Sequence, residues 1–285
     1  MRTELPRSAE VLREVTNRLQ GHVNSPAAEA RWLIESFLGI ASWRVEDLVD
    51  PDALLSLDKA VARRVAGEPL QYIIGSQAFR GLHLGVGPGV LVPRPETETL
   101  VEIAIAKLAD ISEPLIVDLC TGSGAIALTI ATEVEQARVY ATEISEQAMH
   151  WARKNRDAYG TARLELLMGD LFEPLPRSHR GCFDLVVANP PYLSEEEIEL
   201  VPVDVREHEP RVATVSGQEG NEVTNRIIEE APDWLKPHGW LVIETSPRLA
   251  PAVARVASEL FTEVDVHKDL TGAERIVAAG TWRAR

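Results

Sequence analysis

Apolar spacing along this chain changes period near residue 70, and that change sets the first reading of its organisation. Val11, Leu12, Val15 and Leu19 recur at helical spacing. The stretch SPAAEARWLIESFLGI offers Ser25 as an N-cap, Pro26 at the first helical position and Gly39 beyond the apolar face. DALLSLDKAVARRVAG repeats that grammar from Asp52 to a terminating Gly67. Then YIIGSQAFRGLHLGVGPGVLVP sets glycines and aliphatic residues at short spacing, which predicts a β-hairpin linking two units. From about Pro93 short apolar runs alternate with helical stretches: 115–119 (LIVDL), 138–142 (RVYAT), 164–168 (LELLM), 183–188 (FDLVVA) and 240–244 (WLVIE). A helix from about Ser145 to Tyr159 follows the second run. Another, ending near Lys236-Pro237-His238-Gly239, precedes the fifth, and TEVDVHKD with ERIVAAG forms a last strand pair. This alternation predicts a mostly parallel sheet with helices on both faces. Ligands in such sheets sit beyond the C-terminal ends of the strands.

Composition narrows the class. The chain has 285 residues, 45% hydrophobic and 26% charged, as expected of a globular protein with one large domain or an ordinary and a small one. A net charge of −15 argues against a phosphate backbone as the main partner. No apolar run approaches the roughly 18 residues of a membrane span, and the opening MRTELPRSAEVLREV lacks a signal-peptide core. Cys120 and Cys182 are too few for a disulfide framework, so a cytoplasmic location is expected. The seven histidines are scattered without metal-ligand spacing, and no metal site is expected.

The candidate chemistry lies at strand ends. Thr121-Gly122-Ser123-Gly124 follows the first strand, and such glycines let backbone approach a ligand at a helix N-terminus. The second strand ends in Glu143, roughly 20 residues on, where a carboxylate can accept from both hydroxyls of a ribose. The third ends in Gly169-Asp170-Leu171, where the acid can accept from an adenine amino group and the Leu171 N–H can face a ring nitrogen. Together these ends suit an adenosine-containing molecule, either NAD or S-adenosylmethionine. The fourth strand separates the two. It stops at Asn189-Pro190-Pro191-Tyr192, whose prolines cannot continue a ladder. An amide or aryl-amine nitrogen is a poor nucleophile because its lone pair is delocalised. The Asn189 side-chain oxygen and the Pro190 carbonyl can each accept one N–H of such an NH2, aiming its lone pair at a sulfonium methyl. Tyr192 supplies a flat wall. A nicotinamide oxidoreductase shares the glycine loop and Glu143 but leaves the double proline without a purpose. A nucleic-acid amino-methyltransferase shares Asn189 to Tyr192 but calls for a basic face. A non-catalytic adenosine-binding module leaves the acceptor tetrapeptide unused.

The chain resembles the HemK/PrmC family, the protein-(glutamine-N5) methyltransferases that modify class 1 peptide-chain release factors. The likeness runs nearly end to end. It rests on GEPLQYIIGSQAFRGLHLGVGPGVLVPRPETETLVE (67–102), VDLCTGSGAIAL, NPPY, HEPRVA (208–213) and DLTGAERIVAA. The Pro-Arg-Pro-Glu-Thr-Glu within the first is the most specific and sets the chain apart from nucleic-acid enzymes. The resemblance implies a Rossmann-like class I S-adenosylmethionine-dependent methyltransferase (α/β, mostly parallel sheet with a C-terminal antiparallel strand) plus a small helical N-terminal domain. The implied boundaries are a helical substrate-docking domain over 1–75, a β-hairpin linker over 76–92 and a methyltransferase domain over 93–285. It implies cofactor contacts at Cys120, Thr121, Gly122, Ser123, Gly124, Glu143, Asp170, Leu171 and Asn189. The target glutamine would meet Asn189, Pro190, Pro191 and Tyr192, with Arg94 and Glu98 lining or bracing the mouth. The implied partner is a release factor, approached by a monomer that contacts neither nucleic acid nor membrane. Four features depart from the family pattern: Cys120 where glycine is common, Glu143 for the more frequent aspartate, ETSPRLA (244–250) after the fifth strand in place of the usual Glu-x-Gly…Gln, and the loosely matched VDVREHEPRVATVSGQEG (203–220).

Overall fold

The computed structural model describes residues 6–39 and 49–283, so positions 1–5 and 40–48 of the expected helical domain lie outside the described residues. The chain divides into two units, Met1–Gly75 with Val203–His208, and Ser76–Pro202 with Glu209–Arg285. The helical unit holds α1 (Ser8–Leu19), α2 (Pro26–Leu38), α3 (Pro51–Val65) and α4 (Leu70–Ile74). Val11, Val15 and Leu19 of α1 pack with Ala30, Leu33 and Ile34 of α2 and with Leu57, Ala60 and Val61 of α3. α2 runs from its proline to Gly39, whose left-handed φ of 64° closes it. α3 starts one residue earlier than its apolar pattern implies. Pro51 takes the first helical position, and the Asp50 carboxylate caps it by accepting from the Ala53 N–H at 3.1 Å. Between the helices, Arg64 donates to Glu29 from two nitrogens, at 2.6 and 3.2 Å, a buried bidentate pair.

The second unit opens with the hairpin β1 (Ser76–Phe79) and β2 (Leu82–Gly85), turned by Arg80 and Gly81 at φ 42° and 78°. Pairing stops at Gly85, earlier than the expected 92. The glycines beyond it serve close approach instead: a Cβ on Gly87 would stand 2.4 Å from the Trp151 ring. There follow α5 (Thr97–Ala106), β3 (Leu115–Leu119), α6 (Ala125–Glu133), β4 (Arg138–Glu143), α7 (Glu146–Tyr159), β5 (Leu164–Met168) and β6 (Phe183–Ala188). The short α8 (Val203–His208) belongs to the helical unit, where Asp204 lies 3.8 Å from Arg64. Nothing in the apolar period marks so brief an excursion, and the sequence reading had kept these positions with the sheet. The chain then gives α9 (Arg211–Thr214), α10 (Glu222–Trp234), β7 (Leu235–Glu244), α11 (Ala250–Leu260), β8 (Phe261–Lys268) and β9 (Glu274–Trp282).

These strands form a seven-stranded sheet in the order β5-β4-β3-β6-β7-β9-β8, in which β9 runs antiparallel to both its neighbours. Side chains alternate along the central strands. Ile116, Leu185 and Val187 face α5 and α6, while Val117, Leu119 and Val186 face α10 and α11. With both faces covered, the central strands are buried throughout, as their continuous apolar runs require. One boundary needs correction. α10 ends at Trp234, and Lys236-Pro237-His238-Gly239 lies within β7, where the pairing register jumps from Phe183–Leu235 to Leu185–Trp240. The turn-forming tetrapeptide bulges out of a strand, where the sequence reading had it end a helix. The chain leaves β3 for β4 and β5 on one side and returns to β6 and β7 on the other. The switch in strand order therefore falls between β3 and β6, where such sheets bind ligands.

Candidate functional site

The loop after β3 is held from beneath by a buried acid that the sequence reading did not single out. One Asp118 oxygen accepts from the Thr121 hydroxyl at 2.5 Å and from the Ala127 N–H at 3.1 Å, tying the loop to the first turn of α6. Burial pushes the Asp118 carboxyl up to about 7 against the pull of those two donors, and its second oxygen has no partner. From above, Asn155 of α7 accepts from the Gly85 N–H at 2.7 Å and donates to the carbonyls of Gly85 and Ser123 at 3.0 and 2.9 Å. One amide thus joins hairpin, helix and glycine loop. Cys120 sits at φ 58° and Leu171 at φ 45°, both in the left-handed region where glycine is at ease. That is the physical reason a glycine suits the position Cys120 holds. Burial raises the Cys120 thiol well above its usual range, which keeps it protonated and unsuited to act as a nucleophile.

Glu143, at the end of β4, is 7% exposed. Its two oxygens accept from the Gly122 N–H at 2.8 Å and the Ser145 N–H at 2.9 Å. Burial raises its pKa, and these backbone donors oppose the rise. A carboxylate has about four acceptor positions, so it keeps capacity for two further donors. After β5, Gly169 donates to the Glu143 carbonyl at 3.0 Å, and Asp170 pairs with Arg226 of α10 at 2.8 Å. After β6, the Asn189 side-chain NH2 donates to the Thr97 hydroxyl at 3.1 Å. Beyond the tetrapeptide, Leu193 bridges to Val215, with Leu193 N–H to Thr214 O at 2.9 Å and Ser216 N–H to Leu193 O at 2.8 Å. Arg94 and the Val92 N–H both reach Glu209, at 2.5 and 3.1 Å, which fixes the segment leading into α9.

These pieces line one open pocket at the strand ends. Cys120 to Ser123, Glu143, Asp170, Leu171, Asn189, Pro191 and Arg94 line it. Gly124, Pro190, Tyr192 and Glu98 do not. Gly124 forms the left-handed N-cap of α6 at φ 84°, Pro190 is buried, and the Tyr192 ring packs against the core between sheet and α10. Glu98 accepts from the Arg80 N–H at 3.2 Å and braces the hairpin turn. Thr97, Ile126, Ile144, Ala148, Val212 and Val223 also line the pocket and were not anticipated. The donor set suits an adenosyl sulfonium. Two carboxylates face it for hydroxyl and amino groups, the N-terminus of α6 opens on it, and isoleucine, leucine and valine side chains wall it for a flat base. Among the described residues no group of three or more His, Cys, Asp or Glu could hold a metal ion, and no helix is long and apolar enough to cross a membrane.

Residues 10–75 match the family model described as PrmC N-terminal domain, and residues 97–204 match the Methyltransferase small domain. The chain is 39% identical over 275 residues to the release factor glutamine methyltransferase of Streptomyces coelicolor, covering 95% of this chain and 96% of that protein. It is 42% identical over 265 residues to the release factor glutamine methyltransferase of Mycolicibacterium smegmatis, covering 90% and 91%. Among solved structures, a methyltransferase from Pyrococcus furiosus shares the fold with a TM-score of 0.53 at 19% identity, over 79% of this chain and 98% of that one.

Proposed function

This chain belongs to the release factor glutamine methyltransferase family, and from that premise we infer that it methylates the side-chain nitrogen of the glutamine in the Gly-Gly-Gln motif of class 1 peptide-chain release factors. S-adenosylmethionine supplies an electrophilic methyl group on a sulfonium. The observation that carries the residue assignment is that one pocket collects Gly122, Glu143, Asp170 and Asn189 from four separate strand ends.

In this reading Glu143 accepts from the ribose hydroxyls on the positions its backbone donors leave open. Asp170, with the Leu171 N–H beside it, faces the adenine edge. The glycine loop lies against the remainder of the cofactor, with the α6 N-terminus behind it. The Asn189 side-chain oxygen and the Pro190 carbonyl each accept one N–H of the target glutamine. Their rigid spacing, set by two prolines, directs the nitrogen lone pair at the methyl group. The transferred methyl makes the nitrogen positive, and its proton then leaves readily, so no strong base is required. Pro191 and Arg94 contribute the wall and mouth on the substrate side, and Tyr192 stiffens the tetrapeptide from behind. The helical unit docks the release factor. The enzyme acts as a cytoplasmic monomer on protein rather than on nucleic acid.

The test is mass spectrometry of purified release factor after incubation with this protein and labelled S-adenosylmethionine. One added methyl on the Gly-Gly-Gln glutamine is expected. An unlabelled factor, or label on an oligonucleotide offered beside it, would overturn the assignment.

A further inference from the structure

From Asn189 a line of buried polar side chains runs through Thr97, on the pocket wall, toward the sheet. Asn189 Nδ2 donates to Thr97 Oγ1 at 3.1 Å, across 92 residues of sequence. Thr97 is the first residue of α5 and is 4% exposed. Glu244, the last residue of β7, is 2% exposed with one carboxylate oxygen lacking any partner, and it stands close enough to Thr97 for that hydroxyl to pull its pKa down. Burial pushes the Glu244 carboxyl up to about 7, with hydrogen bonding from Thr97 and the charge of Arg275 opposing, and Glu96 and Asp269 adding to the rise. Arg275 belongs to β9 and pairs with Asp269 at 2.7 Å; Glu96 precedes α5; Tyr192, after β6, feels the same carboxylate. Structural packing alone does not call for an acid at this depth.

Proton counting gives the line a direction. A threonine hydroxyl has one proton and two lone pairs. An ionised carboxylate accepts only, so a Thr97 hydroxyl turned toward Glu244 gives its proton to it. The lone pair it turns to Asn189 can then take only the NH2 end of that amide, which leaves Asn189 Oδ1 for the pocket. A protonated Glu244 reverses this. It donates to Thr97, Thr97 can donate to Asn189 Oδ1, and the amide turns over to present NH2 to the incoming NH2, donor against donor.

We propose that Thr97 and Glu244 are positioning residues that fix the Asn189 amide with its oxygen toward the target nitrogen, Glu244 acting in its ionised form. The proposal rests on the reading of Asn189 as an acceptor for the target glutamine. It also gives a role to the glutamate that opens ETSPRLA.

The experiment is single-turnover methylation of full-length release factor at saturating cofactor, from about pH 6 to 9, with cofactor affinity measured in parallel. Wild type is set beside Asn189→Ala, Thr97→Ala, Thr97→Ser and Glu244→Gln. The wild-type rate should rise with pH through about 7. Thr97→Ala should slow the step by about 10-fold or more, and Thr97→Ser, which keeps the hydroxyl, should recover most of it. Glu244→Gln should be slow at high pH and lose the rise, because a neutral amide imposes no direction on Thr97. Cofactor affinity should stay within about 3-fold in all four, which a general loss of folding would not allow. If wild type leaves the factor unmethylated, or Asn189→Ala is as fast as wild type, the reading of Asn189 falls and the proposal with it. If those two behave as expected while Thr97→Ala and Glu244→Gln keep the wild-type rate and pH rise, the proposal alone falls.

Discussion

Asn189 and Glu143 stand at the ends of β6 and β4, and in the proposed reading the first serves mainly chemistry and the second binding. Asn189→Ala removes one of two oriented acceptors while the glycine loop, Glu143 and Asp170 stay in place. The chemical step should fall by roughly 10²–10³, the usual cost of losing one preorganised hydrogen-bond partner in a transition state. Single-turnover rates at saturating cofactor measure it, and a near wild-type rate would remove the amide from the mechanism. Tyr192→Phe should be milder, because the ring packs into the core and burial already holds the hydroxyl neutral, its pKa pushed up to about 12. Glu143→Ala addresses binding instead. Each charge-assisted bond to a ribose hydroxyl is worth about 1.5–3 kcal/mol, so calorimetry should show S-adenosylmethionine binding weakened by about 10-fold or more. An unchanged dissociation constant would take Glu143 out of the site.

At the scale of elements, what the sequence disclosed depended on how local each cause was. β3, β5 and β6 have the bounds that their apolar runs implied, and the odd tetrapeptides after them converge on one pocket. Short buried strands announce themselves through residues adjacent in sequence. Thr97, Asn155 and Glu209 are different: each acts on a partner 70 or more residues away, and no local spacing records that. Gly220 meets a segment nearer in sequence, yet still beyond the reach of any local spacing. Its φ is 87°, and a Cβ there would stand 2.8 Å from the Tyr192 carbonyl oxygen and 3.0 Å from the Ser194 nitrogen. Gly220→Ala should therefore cost on the order of 1–3 kcal/mol of stability. It should also slow methyl transfer, since relief of the clash shifts the backbone that carries the acceptors. A variant with wild-type melting temperature and rate would show that the tetrapeptide tolerates displacement. Asp118 ties β3 to α6 over a short span, accepting from Thr121 and Ala127, three and nine residues on. Its folded pKa lies near 7, above the 3.8 of a free aspartate. The sign follows: its stabilising contribution is whole below the unfolded value and is lost as pH rises through about 7. Asp118→Asn, which cannot ionise, should gain in relative stability between about pH 4 and 7 and level off above that, by denaturant titration. A pH-independent difference would refute the buried-acid account.

For the molecule as a whole, the question is what recognises a protein substrate. The chain carries −15 overall, so its net charge supplies no long-range attraction to a phosphate backbone. Short-range complementarity to a folded protein is the alternative, and a glutamine amide makes the need for it acute. The amide is a weak nucleophile whose NH2 must be held by both acceptors at once, and a free peptide loses much conformational freedom to reach that pose. Binding energy gained on remote surfaces of an intact release factor offsets that ordering and appears in the rate of the chemical step rather than in affinity alone. Methyl transfer to intact factor should accordingly exceed transfer to a short Gly-Gly-Gln peptide by about 10²-fold or more in kcat/KM, with part of the loss in kcat. Because charge steering is not the source of affinity, raising the salt across the Debye-screening range should reduce the intact-factor rate only a few-fold. Equal kcat for peptide and factor would confine recognition to the pocket. A rate that collapsed with salt would return the acidic surface to the centre of substrate capture.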